Sequence, residues 1–154
     1  MVGVDGFELT PAPSDRERFL PLLLEADESE TVVRSYLDEG DLFEIRVDGR
    51  TVGVCLLIED EDNFEIKNIA IEEASRGRGI GRRAIDAVVA VARAREKRRL
   101  VVGTAETSDR AIAFYRRAGF HDDGVRRGFF DSYPEPVVED GRTAHDMVMF
   151  VMEL

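Results

Sequence analysis

The chain has 154 residues, 44% of them hydrophobic and 34% charged, and its 32 acidic against 21 basic residues give a formal net charge of −11. A chain of this length buries about 68–70% of its unfolded surface, so a single domain over residues 1–154 is expected. The acidic excess argues against nucleic acid and anionic membranes as partners, and one cysteine, Cys55, excludes an internal disulfide and any multi-cysteine metal site.

The two histidines, His121 and His145, lie far apart in sequence, and no metal is expected. The start of the chain has no basic, apolar leader, and the longest apolar run, residues 147–152, is too short for a membrane span. A soluble, cytoplasmic chain is expected. Only Lys67 and Lys97 among the basic residues are lysine; the rest are arginine. That bias, with the acidity, suits a halophile's acidic proteome, although a GC-rich coding sequence also favours arginine.

In chain order, residues 7–10 read as a first strand. Ser14 and Glu17 form a capping box opening a helix to residue 26 that Pro21 bends. Residues 27–30 cap a second helix that ends before Gly40. Alternating strands follow at 42–47 and 51–58, joined by Asp48-Gly49, a strong two-residue hairpin signal. After a turn at 60–63, residues 64–71 make a third strand. A helix over 80–96 crosses to a strand at 100–104, and this βαβ unit makes those two strands parallel. A short helix over 109–117 is stopped by Gly119. Two strands, at 120–129 and 145–152, flank a long loop at 131–141.

The most telling stretch is Arg76-Gly77-Arg78-Gly79-Ile80-Gly81-Arg82-Arg83, between an apolar strand and an amphipathic helix. The first turn of a helix has unpartnered N–H groups and the positive end of the dipole. Glycines at 77, 79 and 81 let a phosphate reach those groups. A dinucleotide-binding turn would need glycine at 82, where Arg82 stands, and a Walker loop would need a lysine that is absent. Arginines around this loop form a basic exception in an acidic chain, as a polyanionic ligand requires.

Arg76, Gly79 and Gly81 satisfy R-x-x-G-x-G, which resembles the acetyl-CoA signature of the GNAT superfamily of N-acetyltransferases. Downstream, residues 108–120 resemble the same family's N-x-x-A-x-x-x-Y-x-x-x-G-F, with Ala111, Tyr115, Gly119 and Phe120 in place and Ser108 where asparagine is usual. The element order agrees as well. The resemblance implies an α/β (α+β) fold with a mixed central sheet of about seven strands and flanking helices. It implies acetyl-CoA as co-substrate, no metal, and direct attack of an amine on the thioester in a ternary complex.

By the same resemblance, Ile69, Ala70 and Ile71 hold the pantetheine and thioester through the main chain. The loop from Arg76 through Gly77, Arg78, Gly79, Ile80 and Gly81 to Arg82 holds the pyrophosphate, and Ser108 and Tyr115 also contact the cofactor. Tyr115 is the candidate general acid, a phenol matched in basicity to a leaving thiolate; packing on an apolar helix face is the other reading of its position. Glu65 is the candidate base for the amine, with Asn68 as a possible water-holder, although a strand carboxylate at this position is also an ordinary solvent-facing residue. Cys55, amid an apolar run, is expected to be core rather than a nucleophile.

The acceptor is expected to meet the late loop, where Phe130 and Tyr133 offer aromatic walls and Asp131 and Glu135 offer charge, or where the acids are simply surface. A small amine or polyamine-like cation is favoured, with a protein or peptide amine, or a non-catalytic acetyl-CoA sensor, as alternatives. A homodimer through the apolar last strand is plausible.

Overall fold

The Asp48-Gly49 turn shapes the first half of the molecule. Both residues take left-handed backbone, at φ 51° and 79°, the geometry that matches the twist of a two-residue hairpin. The computed structural model describes residues 6–154. Strand β1 (Phe7–Pro11) pairs with β2 (Asp41–Val47), β2 with β3 (Arg50–Glu59), and β3 with β4 (Asn63–Ile71), all antiparallel. Helix α3 (Ile80–Ala94) crosses to β5 (Arg99–Ala105), parallel to β4 as the crossover connection requires. Helix α4 (Asp109–Arg117) leads to β6 (His121–Arg126). A small hairpin of β7 (Val138–Glu139) and β8 (Arg142–Thr143) then precedes β9 (Met147–Glu153). The main sheet has seven strands in the order β1-β2-β3-β4-β5-β9-β6.

Period-two alternation along β3 sends side chains to opposite faces. Cys55 and Leu57 join a core with Ala84, Ile85, Val88 and Ala92 of α3 and Tyr115 of α4. Val54 and Leu56 join a second core under helices α1 (Leu20–Ala26) and α2 (Glu30–Tyr36). The apolar spacing at 84, 85, 88 and 92 is the 3.6-residue stripe that lays α3 on the sheet.

Three local features differ from the sequence expectations. The Ser14–Glu17 capping box does not form. Asp15 precedes a 3-10 turn, Arg16–Phe19, without a side-chain cap, while Arg34 takes the Glu17 carboxylate at 2.6 and 3.0 Å. Pro21 then sits in the first turn of α1, where no N–H is required, so it starts a helix rather than bending one. Second, the strand expected at 120–129 stops at Arg126, because Gly128, at φ 68°, turns the chain into a 3-10 turn at Phe129–Ser132. Third, the long loop contains the β7–β8 hairpin, closed by Asp140-Gly141 at φ 51° and 76°.

The feature that opens a site is a bulge in β4. Leu56 pairs with Asn68 and Leu57 with Ile66, leaving Lys67 as an extra residue. The bulge inverts the phase of the strand: Phe64 and Ile66 belong to the α3 core, whereas Ala70 belongs to the α1 core. Pairing of β4 with β5 runs from Asn63↔Arg99 to Ile66↔Val102 and ends there, although both strands continue. Among the described residues no helix is long and apolar enough to cross a membrane.

Candidate acyl-transfer site

Two strands that part company leave backbone groups unpaired and a gap between them. Here the gap widens into a cleft of about 1110 Å³, bounded by β4 and β5, the glycine loop, α4, the α1–α2 connection and the late loop. Ile69, Ala70, Ile71, Arg76, Gly77, Gly79, Ile80, Gly81, Ser108, Tyr115, Phe130 and Tyr133 all line it. Residues as far apart in sequence as Glu25 and Met147 thus share one cavity.

At one end lies the start of α3. Gly79 is its N-cap, in left-handed backbone at φ 79° and with no side-chain cap. The first helical bond runs from the Arg83 N–H to the Gly79 carbonyl at 3.2 Å, so the N–H groups of Ile80, Gly81 and Arg82 precede it without intrahelical partners. A Cβ on Gly77 or Gly79 would have no atom within 4 Å, whereas one on Gly81 would come within 3.3 Å of the Phe114 ring. The first two glycines keep the donors accessible and the third lets α3 approach α4. This end suits a pyrophosphate.

Of the loop's arginine side chains, Arg76 lines the cleft and the others do not. Arg76 donates from Nε to the Ile71 carbonyl at 3.0 Å and lies 3.5 Å from Glu25, so it braces the loop against β4. Arg78 and Arg82 do not line the cleft; Arg82 donates to the Arg117 carbonyl at 3.2 Å and lies 3.5 Å from Asp86. Arg110 and Arg117, from α4, do line it. Nothing in their spacing along α4 marks them in the sequence as cleft residues.

Tyr115 packs in the α3 core and also borders the cleft. It is 7% exposed, its ring 5.3 Å from Phe114, 5.6 Å from Phe120 and 6.0 Å from Phe150. It also lines the cleft. Burial, with a smaller contribution from Cys55, pushes its phenol above the ordinary tyrosine range, so it stays protonated at neutral pH. Cys55 itself is fully buried, and that burial pushes its thiol up to about 12. A protonated, enclosed thiol is core, not nucleophile.

Other expected site residues fall elsewhere. Glu65 lies on the opposite side of its strand from Phe64 and Ile66 and lines a separate cavity of about 400 Å³ with Val101, Val125 and Met149. The base expected from β4 is therefore outside the cleft. Ser108 lines the cleft but donates to Glu139 at 2.6 Å, which ties the β7–β8 hairpin to the head of α4. Arg142 reinforces that tie at 3.2 Å from Asp109. Asp131 is drawn away by His145, whose Nδ1 lies at 2.7 Å, and Glu135 is exposed outside the cleft. The hydrogen bond and charge of Asp131 raise the His145 pKa above its ordinary value.

At the far end is a polar cluster that the sequence analysis did not assemble. Tyr36 donates to Asp27 Oδ2 at 2.9 Å, and Tyr133 lies 3.2 and 3.3 Å from the same carboxylate. Asn68, 4% exposed, donates from Nδ2 to the Leu23 carbonyl and to the Tyr36 hydroxyl, both at 3.0 Å. A carbonyl can only accept, so the Asn68 amide orientation is determined, and its Oδ1 has no partner in the protein. Burial first, and Asp27 second, push both phenols above their ordinary range. Phe129, Phe130 and Tyr133 stack edge-on or tilted at 5.0 to 6.1 Å around this end. No group of three or more His, Cys, Asp or Glu side chains among the described residues could hold a metal ion.

The chain is similar to known proteins in sequence and in fold. Residues 10–120 match the Acetyltransferase (GNAT) family model. The structure superposes with a TM-score of 0.91 on a GNAT family acetyltransferase from Elizabethkingia anophelis with acetyl-CoA bound, at 33% identity over 97% of this chain and 99% of that one. A Bacillus cereus protein described as an IAA acetyltransferase gives a TM-score of 0.87 at 31% identity, over 96% of this chain and 99% of that one. An uncharacterized N-acetyltransferase of Bacillus subtilis, YvbK, is 28% identical over 135 residues, which is 86% of this chain and 87% of its own. With a family match over most of its length, the chain belongs to the GNAT family and is an acetyl-CoA-dependent N-acetyltransferase.

Proposed function

We propose that the protein transfers acetyl directly from acetyl-CoA to the primary amine of a small acceptor, with Tyr115 as general acid. The observation that carries this reading is the placement of a buried, protonated phenol on the wall of a cleft that has free helix N–H groups at one end and an aromatic, hydrogen-bonded carboxylate at the other. Acetyl-CoA supplies an acetyl group already activated as a thioester. The backbone of Gly79 to Arg82 holds its phosphates, and β4 beyond the bulge offers main-chain groups to the pantetheine arm.

The chain's own task is to manage protons. The amine must arrive uncharged, and its lone pair forms the C–N bond as the C–S bond breaks. The departing sulfur takes the Tyr115 proton, the nitrogen releases one to water, and Tyr115 is reprotonated from solvent. Glu65 has no part in this scheme, because its side chain lines the other cavity.

Direct transfer has a kinetic signature. Initial velocities measured against both substrates give intersecting double-reciprocal lines, and Cys55→Ala keeps the wild-type turnover within about twofold while losing some stability as a small core truncation. Parallel lines together with an inactive Cys55→Ala would mean that the acetyl group passes through the thiol instead.

A further inference from the structure

Two opposite charges border one aromatic group in the cleft without pairing with each other. Asp27 accepts from the Tyr36 and Tyr133 hydroxyls. The Lys67 ammonium lies 5.2 Å from the centre of the Tyr36 ring and 5.9 Å from that of Phe129. Both side chains line the cleft, together with Phe130 and Tyr133.

Lys67 shares the cleft with Glu25, Asp27 and Glu28 and forms an ion pair with none of them. In a protein of net charge −11, carboxylates are abundant, and the other lysine, Lys97, finds Glu59 at 3.8 Å. Among the described residues Lys67 has no ion pair. It is also the extra residue of the β4 bulge, so the device that opens the cleft also sets a positive charge into it. A polyamine would bring a second cation against that ammonium, and a simple amine would leave it unanswered.

We propose that the acceptor is a small amino acid with an apolar side chain. Its amine is received by the Asp27 carboxylate, its own carboxylate is received by Lys67, and its side chain lies against Phe130 and Tyr133. This assignment rests on the acetyl-transfer reading above and names its substrate class. On this assignment the acceptor is a zwitterion rather than a simple amine or a polyamine-like cation.

The test compares matched triplets of phenylalanine, leucine and methionine: the free amino acid, its amide and the corresponding amine without the carboxylate. Each is offered to the intact protein with acetyl-CoA, and kcat/KM is read from thiol release. A carboxylate held by Lys67 favours the free acid by about tenfold to a hundredfold, the range for one hydrogen bond to a charged group. The amide carries more uncharged amine at neutral pH, so a preference for the acid runs against intrinsic reactivity. In Lys67→Met, which keeps the apolar stem, the acid-to-amine ratio falls towards one through KM, while Lys67→Arg restores most of it. Equal rates for acid and amine in the wild type, or an unchanged ratio in Lys67→Met with a normal melting temperature, overturn the assignment but leave acetyl transfer standing. No transfer to any compound, with acetyl-CoA still bound, overturns the acetyl-transfer reading and this assignment with it.

Discussion

Tyr115→Phe slows turnover by about a hundredfold or more, the usual range for a lost general acid, while acetyl-CoA binds as tightly as before. The substitution is suited to the question because it removes one oxygen and keeps the ring. The contacts to Phe114, Phe120 and Phe150 survive, so the fold and the cleft wall are preserved. What disappears is the only proton that this residue can offer to a leaving thiolate. Because burial holds the phenol above the ordinary tyrosine range, the wild-type residue remains a donor up to and beyond that range. Activity therefore does not decline through deprotonation of Tyr115 in the ordinary working pH window. Binding by calorimetry and single-turnover rates measured side by side decide the matter. Unchanged turnover would reduce Tyr115 to a packing residue.

Gly79→Trp weakens acetyl-CoA binding severely. The position has left-handed backbone at φ 79°, which strains any side chain with a Cβ by about 1–2 kcal/mol. No atom lies within 4 Å of where that Cβ would be, so the indole has room to extend over the free N–H groups of α3 rather than being forced into the core. A hydrogen bond to a charged group contributes about 1.5–3 kcal/mol, so the loss of two weakens binding by roughly a hundredfold or more. Gly79→Ala carries the same backbone strain with little bulk, and it separates strain from occlusion. Binding that falls far more in the tryptophan variant than in the alanine variant places the phosphates at this helix end. Equal affinity in wild type and Gly79→Trp would place them elsewhere.

Much of this architecture could be read from the chain because the relevant signals are local. Asp48-Gly49 joins two long alternating runs, and both the turn and its strands were expected where they stand. The glycines at 77, 79 and 81 declare a helix start open to an anion, and the βαβ order dictates the parallel pairing of β4 with β5. Asp140-Gly141 has the same turn chemistry as Asp48-Gly49, yet its hairpin was missed. The flanking strands have two residues each, too few to display a period.

What stayed hidden depends on distant partners. The large apolar residues of β4 do change phase, from Phe64 and Ile66 to Ile69 and Ile71 across the polar pair Lys67-Asn68, but two polar residues in a row do not by themselves declare a bulge. Asp27 and Tyr133 are 106 residues apart, and nothing near either predicts their bond. The Ser14–Glu17 pattern describes a plausible cap, but Arg34 offers Glu17 a two-point salt bridge that prevails. The family resemblance points to Glu65 as the base, and strand alternation cannot say which cavity its face adjoins. The acceptor end of the cleft is assembled from the α1–α2 connection, the bulge and the late loop, three segments brought together by the tertiary fold.

The most direct test of amine acetylation in this cleft is thiol release from acetyl-CoA by the wild-type protein across a panel of amino acids, their amides, simple amines, polyamines and N-terminal peptides. The products are then weighed for the added acetyl group. The account predicts release that depends on an amine, a product acetylated on nitrogen, and one small-molecule class that reacts well ahead of the others. Tight binding of acetyl-CoA with no amine accelerating release would contradict it.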